Sequence, residues 1–203
     1  MRLSNFRPRV RALAAACAVI VLSGCSISPY VDNELQELRP EDRVGVVNPK
    51  PVQFLFEFQT KGVENGRATD LLRAEVMTAV QDSGLFAQAG PTPVTDGTLL
   101  HITINNVALT DDAFAKGFAT GLTFGLAGTT ATDGYICTID YLMGGSRKIE
   151  QVTRDAIYSN IGVKQAPPHA DKVASLEIAI KTVTRRMVSH GLNDLAKNPD
   201  FPK

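Results

Sequence analysis

The sequence has few of the residues, and none of the short motifs, from which an active site is often predicted. It contains no phosphate-binding loop, dinucleotide fingerprint, zinc-ligand spacing or nucleophile elbow. Its three histidines, His101, His169 and His190, are scattered along the chain. The adjacent Asp111 and Asp112 follow a predicted strand, where neighbouring side chains point apart, whereas a general acid and base must converge. We therefore predict that the protein is not an enzyme and has no cofactor and no metal site.

Acidic residues are absent from the first 24 positions, which contain four arginines: Arg2, Arg7, Arg9 and Arg11. An apolar run follows from Ala12 to Leu22. A helix of that length reaches about 16 Å, which is too short for a bilayer core of about 30 Å. A basic start before a short apolar run is typical of a secretory signal peptide, which we predict for residues 1–24.

The end of this signal, Leu22-Ser23-Gly24-Cys25, resembles the lipobox of bacterial lipoproteins. The resemblance implies cleavage before Cys25, a diacylglyceryl group on Cys25 and, in many Gram-negative bacteria, an additional amide-linked acyl chain. Two or more acyl chains hold a protein stably on a bilayer. Ser26 stands where an inner-membrane retention signal usually has Asp, so the resemblance implies the outer membrane, facing the periplasm. The alternative is a cleaved signal that leaves Cys25 free.

Cysteine is scarce as well. Cys17 leaves with the predicted signal and Cys25 would carry lipid, so Cys137 would remain alone and no internal disulfide could form. Cys137 lies in a strand-like run from Tyr135 to Ile139. We predict a small buried apolar side chain there, since a nucleophilic cysteine would need a histidine close in space.

Basic residues are too few in the mature chain for a nucleic-acid partner. Cleavage removes four arginines and leaves 17 basic against 21 acidic residues, a formal charge of −4. Phosphate binding requires clustered Lys and Arg. The length suits one domain with a real core.

The hydrophobic pattern predicts six main elements in residues 52–203. The strands are Val52–Phe58, 98–108, Tyr135–Leu142 and Lys148 to about Gly162, and the helices run from Asn65 to Gly84 and from Pro168 to about Lys197. We predict a two-layer α+β fold, with a mostly antiparallel sheet of about four to five strands covered on one face by two helices. Residues 25–51, rich in proline and acidic residues, are predicted to be a flexible tether. Lipobox, size and element order give a broad resemblance to small α+β lipoproteins that assist outer-membrane assembly.

A glycine-rich apolar insertion at 113–130 breaks this pattern. Gly117, Gly121 and Gly125 recur at every fourth position, and no charge occurs from Gly117 to Thr132. In a helix this spacing places all three glycines on one face, as in closely packed membrane helices. The segment could insert into a lipid surface, pack against a copy or partner, or fold over the core as a loop. The predicted contact residues are Phe114, Gly117, Phe118, Gly121, Leu122, Phe124, Gly125 and Leu126.

The functional prediction is an outer-membrane-anchored lipoprotein, a non-catalytic binding or assembly module of the cell envelope. Its expected partners are the bilayer, through acylated Cys25, and an envelope protein or a second copy of the chain. One alternative is a membrane-inserting or oligomer-forming lipoprotein that acts through Gly117–Gly128. A more distant alternative is an envelope hydrolase.

Overall fold

The computed structural model of the protein describes residues 27–109, 131–144, 147–161 and 169–202. Within these ranges the chain forms eight strands and two α-helices. The strands are β1 (Ile27–Asp32), β2 (Lys50–Thr60), β3 (Val63–Glu64), β4 (Phe86–Gly90), β5 (Leu99–Ala108), β6 (Ala131–Met143), β7 (Arg147–Ile161) and β8 (Ala170–Lys172). The helices are α1 (Gly66–Asp82) and α2 (Leu176–Lys197). The α+β class is confirmed, and the sheet is larger than the four to five strands expected.

The strands join one mixed sheet in the order β3-β2-β5-β6-β7-β1-β8, with β4 also paired to β2. β2 runs parallel to β4 and β5, and the remaining pairs are antiparallel. The added strands β1, β3, β4 and β8 are only two to six residues long. Such short segments carry little periodicity, which is why the sequence pattern did not predict them.

The alternation in the sequence decides which face of the sheet is buried. In β2 the side chains of Val52, Phe54, Phe56 and Phe58 are buried, whereas Leu55 between them is exposed. The corresponding residues of β5 and β6 are buried on the same face: Leu100, Ile102, Ile104, Tyr135, Cys137 and Ile139. This face forms the main core together with both helices.

Helix α1 begins and ends as the sequence predicts. The side chain of Asn65 accepts a hydrogen bond from the backbone N–H of Ala68 at 3.1 Å, which caps the first turn. Gly84 follows the helix with a φ of 66°, a conformation that glycine adopts without strain. Leu72, Val76 and Val80 lie on the buried face of α1.

Helix α2 begins later than predicted, at Leu176 instead of near Pro168. Ser175 caps it, because its hydroxyl oxygen accepts a hydrogen bond from Ile178 N at 3.2 Å. The residues before it form β8, which pairs with β1. In the described ranges, neither helix is both long and apolar enough to cross a membrane.

The segment 25–51, expected to be a flexible tether, belongs to the fold from Ile27 onward. β1 lies between β7 and β8, and Val31 is in the main core. Farther along, Val44 N donates to Asn193 Oδ1 of α2 at 2.8 Å, and the Arg43 guanidinium donates to the carbonyl of Asp82 at 2.6 Å. Of the prolines that suggested a linker, Pro29 lies in β1, Pro51 lies in β2 and Pro40 begins a short 3-10 helix, so they are part of this packing.

Candidate functional site

Several of the sequence-predicted positions lie outside the described residues. They comprise Cys25, Asp111, Asp112 and the eight contact residues Phe114, Gly117, Phe118, Gly121, Leu122, Phe124, Gly125 and Leu126. The structure does describe the residues that flank them. Their placement relative to the sheet therefore defines where each undescribed segment is attached.

The flanking residues meet at one end of the sheet. Ile27, the first residue of β1, pairs with Ile161, the last residue of β7. Ala131, the first residue of β6, pairs with Ser159, which in turn pairs with Pro29. We call this the Ile27 end of the sheet. The chain toward Cys25 and the chain returning from the glycine-rich segment both join the sheet there.

The start of α2 lies at the same end. Val173 N donates to the carbonyl oxygen of Pro29 at 3.1 Å, three positions before α2 begins. The first turn of the helix then presents two exposed apolar side chains, Leu176 at 47% and Ile178 at 46% of their full accessible area. Exposed apolar residues at the end of the sheet where the chain from Cys25 enters form a candidate contact surface.

A buried polar cluster connects β1, β7 and α2 beneath this surface. The hydroxyl of Tyr158 donates to Asp32 Oδ2 at 2.9 Å, and Glu34 N donates to Asp32 Oδ1 at 2.9 Å. From α2, the Arg186 guanidinium donates to the carbonyl oxygen of Asp32 at 2.8 Å. Asp155 of β7 is fully buried close to this cluster. Sequence reasoning missed these residues because they are far apart in the chain and follow no motif.

Burial shifts the pKa values of the cluster. It raises the pKa of Asp155 to about 8, an effect that the nearby Arg186 only partly opposes. It also raises the pKa of Asp32, against the hydrogen bonds from Glu34 N and Tyr158. For Tyr158, burial and the adjacent Asp32 carboxylate together raise the phenol pKa. Asp155 Oδ1 accepts from Ala156 N at 2.7 Å, whereas Oδ2 is buried without a hydrogen-bond partner in the described residues.

This cluster is suited to holding the fold together and unsuited to reacting with a substrate. The side chains of Asp32 and Asp155 have no accessible surface, so a substrate would have no route to either carboxylate. A shifted pKa is common to catalytic and purely structural groups, and access distinguishes the two. The cluster instead fixes β1 against β7 and α2, and thereby fixes the Ile27 end.

The face of the sheet opposite the helices is a second candidate surface. His101 of β5 lies directly across from Asp140 of β6. Nζ of Lys148 lies 3.0 Å from Asp140 Oδ1 and 2.7 Å from Glu150 Oε2. Leu55 and Val152 on this face keep 41% and 38% of their accessible area. These groups lie on an exposed sheet face instead of in a cleft, an arrangement suited to contact with a macromolecule. No three His, Cys, Asp or Glu side chains of the described residues are grouped closely enough to hold a metal ion.

Cys137 is buried in the main core, as predicted. Its side chain has no accessible surface, and burial raises the pKa of its thiol to about 12. A thiol that stays protonated at neutral pH is a poor nucleophile. Cys137 therefore acts as a small core residue.

A groove runs beside the edge strand β4. It is lined by Val80 and Gln81 of α1, by β4 itself and by residues 92–94. None of its lining side chains is titratable. The side chains that line this groove thus supply no acid, base or nucleophile.

No family model and no curated protein matches this chain. Among solved structures, it is similar to a leucine-to-methionine variant of the PelC dodecamer from Paraburkholderia phytofirmans, with 9% identity and a TM-score of 0.35 over 84% of this chain and 98% of that chain. A PelC dodecamer from the same organism in another crystal form has 8% identity and a TM-score of 0.32, over 83% and 96% of the two chains. Similarity at this level assigns neither a family nor a function.

Proposed function

We propose that this protein is a lipid-anchored component of the outer membrane whose α+β domain binds another envelope protein and catalyses no reaction. The observation that carries the proposal is the position of β1. Its first residue, Ile27, is paired in the sheet only two positions after the lipobox cysteine, Cys25. An acyl group on Cys25 would therefore hold a folded domain, not a loose tail, at the membrane.

The partner contact is assigned to the sheet face that lacks helices. In the described residues both helices cover the opposite face, where the main core lies. The uncovered face combines exposed apolar side chains, Leu55 and Val152, with charged neighbours such as Lys148 and Glu150. Rigid strands that present mixed apolar and polar groups provide the usual composition of a non-obligate protein interface.

The membrane anchor is tested in cells of a Gram-negative host. Mass spectrometry of the mature chain is expected to show an acylated Cys25 at its N-terminus, and fractionation should place the protein in the outer membrane. Cys25→Ala should prevent this processing, whereas Cys137→Ala should leave it unchanged. A Cys25→Ala chain that is cut at the same site and retained in the membrane would overturn the anchor.

The partner contact is tested by photocrosslinking in intact cells. A photoreactive amino acid is introduced at Leu55 or Val152 on the uncovered face, and at Arg73, an exposed position on α1, as the control. We expect a discrete crosslinked envelope protein from the first two positions and none from Arg73. Equal crosslinking from all three positions, or from Arg73 alone, would contradict the assignment of this face.

The second candidate function acts through Gly117–Gly128, by insertion into a membrane or by oligomerisation. One observation favours it. Ala131, the first described residue after this segment, pairs with Ser159, which also pairs with Pro29, so the segment is attached at the Ile27 end of the sheet. An unlipidated mature chain lacking residues 113–130 tests it against the full mature chain. If the deletion leaves both liposome binding and self-association unchanged, this function fails.

A further inference from the structure

We propose that the Ile27 end of the domain rests directly on the bilayer, with Leu176 and Ile178 of α2 buried in the lipid interface. This inference rests on the proposed function, because it takes lipid at Cys25 as the anchor. It adds to the anchor a second contact and a fixed orientation of the domain.

The length of chain between the anchor and the sheet limits the distance. Only Ser26 separates Cys25 from Ile27, and an extended chain covers at most about 7 Å over these two steps. Ile27 is paired with Ile161, so it cannot move away from the sheet without breaking this pair. The rest of β1 is paired with β7 on one side and with β8 on the other. The Ile27 end therefore stays within about one headgroup layer of the acyl chains.

The direction of α2 brings its first turn to the same end. Val173 N donates a hydrogen bond to the carbonyl of Pro29, near the start of β1. Arg186, farther along the helix, donates one to the carbonyl of Asp32, at the end of β1. The helix thus runs away from the Ile27 end as its residue numbers rise. With 22 residues it is about 33 Å long, so its last turn lies far from the anchor.

The side chains of the first turn suit an apolar environment. Leu176 and Ile178 are about half exposed, whereas Ala179, next in the chain, is fully buried in the core. Glu177 lies between them, and its carboxylate is paired with Lys181 at 2.7 Å, so its charge is balanced by a cation. Burial of the exposed apolar area in a lipid interface is favourable, and the one acidic group of this turn, Glu177, is neutralised by its ion pair.

The opposite end of the domain provides a matched control. Val47 is 95% exposed and precedes β2, which starts at Lys50 and runs toward the Ile27 end of the sheet. Lys50 pairs with Phe86, whose ring contacts Phe201 beyond the end of α2 at a centroid distance of 6.2 Å. Val47 is therefore an exposed apolar residue that precedes β2 at the end of the domain opposite Leu176.

The test uses the mature chain, residues 25–203, coupled through the Cys25 thiol to a maleimide lipid in phosphatidylethanolamine–phosphatidylglycerol vesicles. The buried Cys137 thiol, with its raised pKa, is not expected to couple at neutral pH. Because the chain contains no tryptophan, Ile178→Trp and Val47→Trp each introduce a single tryptophan, whose fluorescence is excited separately from that of the tyrosines. Lipids brominated near the headgroup then quench any tryptophan that lies in the interface.

We expect the fluorescence of Ile178→Trp to shift to shorter wavelength and to lose most of its intensity to brominated lipid. Val47→Trp should show neither change. Leu176→Trp, a second variant of the same turn, should behave like Ile178→Trp, and circular dichroism confirms that each variant is folded. Equal quenching at positions 47 and 178, or quenching at 47 alone, would overturn the proposed orientation.

The chemical coupling separates this inference from the proposed function. It supplies the lipid anchor whether or not a cell acylates Cys25. Absence of acylation in the mass spectrum would thus remove the proposed function, whereas absence of quenching at Ile178 on coupled vesicles would remove the contact of α2 with the bilayer.

Discussion

Tyr158 and Asp32 are joined by a 2.9 Å hydrogen bond from the phenol hydroxyl to Oδ2 that lies entirely inside the protein. They are 126 positions apart in the sequence, one on β7 and the other at the end of β1. Arg186 of α2 binds the carbonyl of the same Asp32. The strand that follows the predicted lipid anchor is thereby held to the sheet and to the second helix at one point.

Tyr158→Phe is expected to destabilise the fold by about 1–3 kcal/mol, because a buried carboxylate oxygen loses its donor. The same substitution at Tyr30 is the control, since Tyr30 belongs to the same small apolar cluster and has no hydrogen bond from its hydroxyl within the described residues. Tyr30→Phe should change the free energy of unfolding by less than about 0.5 kcal/mol. Urea unfolding measures both. Equal effects would show that the Tyr158 hydroxyl contributes nothing specific.

Asp155 is expected to make the fold less stable as the pH rises. Its pKa is about 8 in the fold against a usual value of 3.8, so between those values the folded chain holds a proton that the unfolded chain has released. The contribution of Asp155 to the free energy of unfolding is fully present below pH 4. It is lost as the pH rises toward 8, by up to about 1.4 kcal/mol for each pH unit. Asp155→Asn, which mimics the protonated acid, should remove this loss.

The measurement for Asp155 is urea unfolding of wild type and Asp155→Asn at pH 5.5 and pH 8. The stability of the variant relative to wild type should increase between the two values. The exposed Asp70, with its side chain 83% accessible, is the control, and Asp70→Asn should show no such increase. A constant difference between Asp155→Asn and wild type would mean that Asp155 is already ionised in the fold.

A methyl group at Gly191 is expected to lower the stability of the fold, because side chains of the sheet surround this position closely. A Cβ atom there would come within 2.7 Å of Cδ1 of Ile139, a fully buried residue of β6. Gly191→Ala should therefore destabilise the protein by about 1–3 kcal/mol, although alanine favours a helix. Gly66→Ala, at the first position of α1 with open space around it, should be neutral or stabilising. Thermal unfolding of both variants gives the comparison, and a neutral Gly191→Ala would show that the Ile139 side chain or α2 itself moves to make room for the methyl group.

Asn193 is expected to hold the segment before β2 against α2. Its Oδ1 accepts the backbone N–H of Val44, and Asn193→Ala would leave this partly buried N–H unpaired. We expect a loss of about 1–3 kcal/mol and faster proteolysis within residues 33–49. Asp194→Ala, which removes only an exposed ion pair with Lys197, should leave the cleavage rate unchanged. Rapid cleavage of this segment already in wild type would support the flexible tether that the sequence suggested.

Local patterns predicted the local parts of the structure. The alternating run in β2 and the Asn65 cap of α1 depend on neighbours within a few residues, and both occur as expected. The packing of residues 33–49 depends on contacts such as that between Val44 and Asn193, 149 positions apart. A local sequence pattern does not indicate a contact between residues so far apart in the chain. The composition of residues 25–51 therefore suggested a linker.

The same distinction applies to the candidate site. Hydrophobic periodicity determined the fold class, the central strands and both helices, because each reflects which face of a local element is apolar. The lipobox at Cys25 remains a prediction from local sequence. Only the tertiary structure decided that β1 begins two positions later, and that Ala131 and the first turn of α2 lie at the same end of the sheet. Strand pairing joins residues more than a hundred positions apart, and that pairing is set by burial of the whole core.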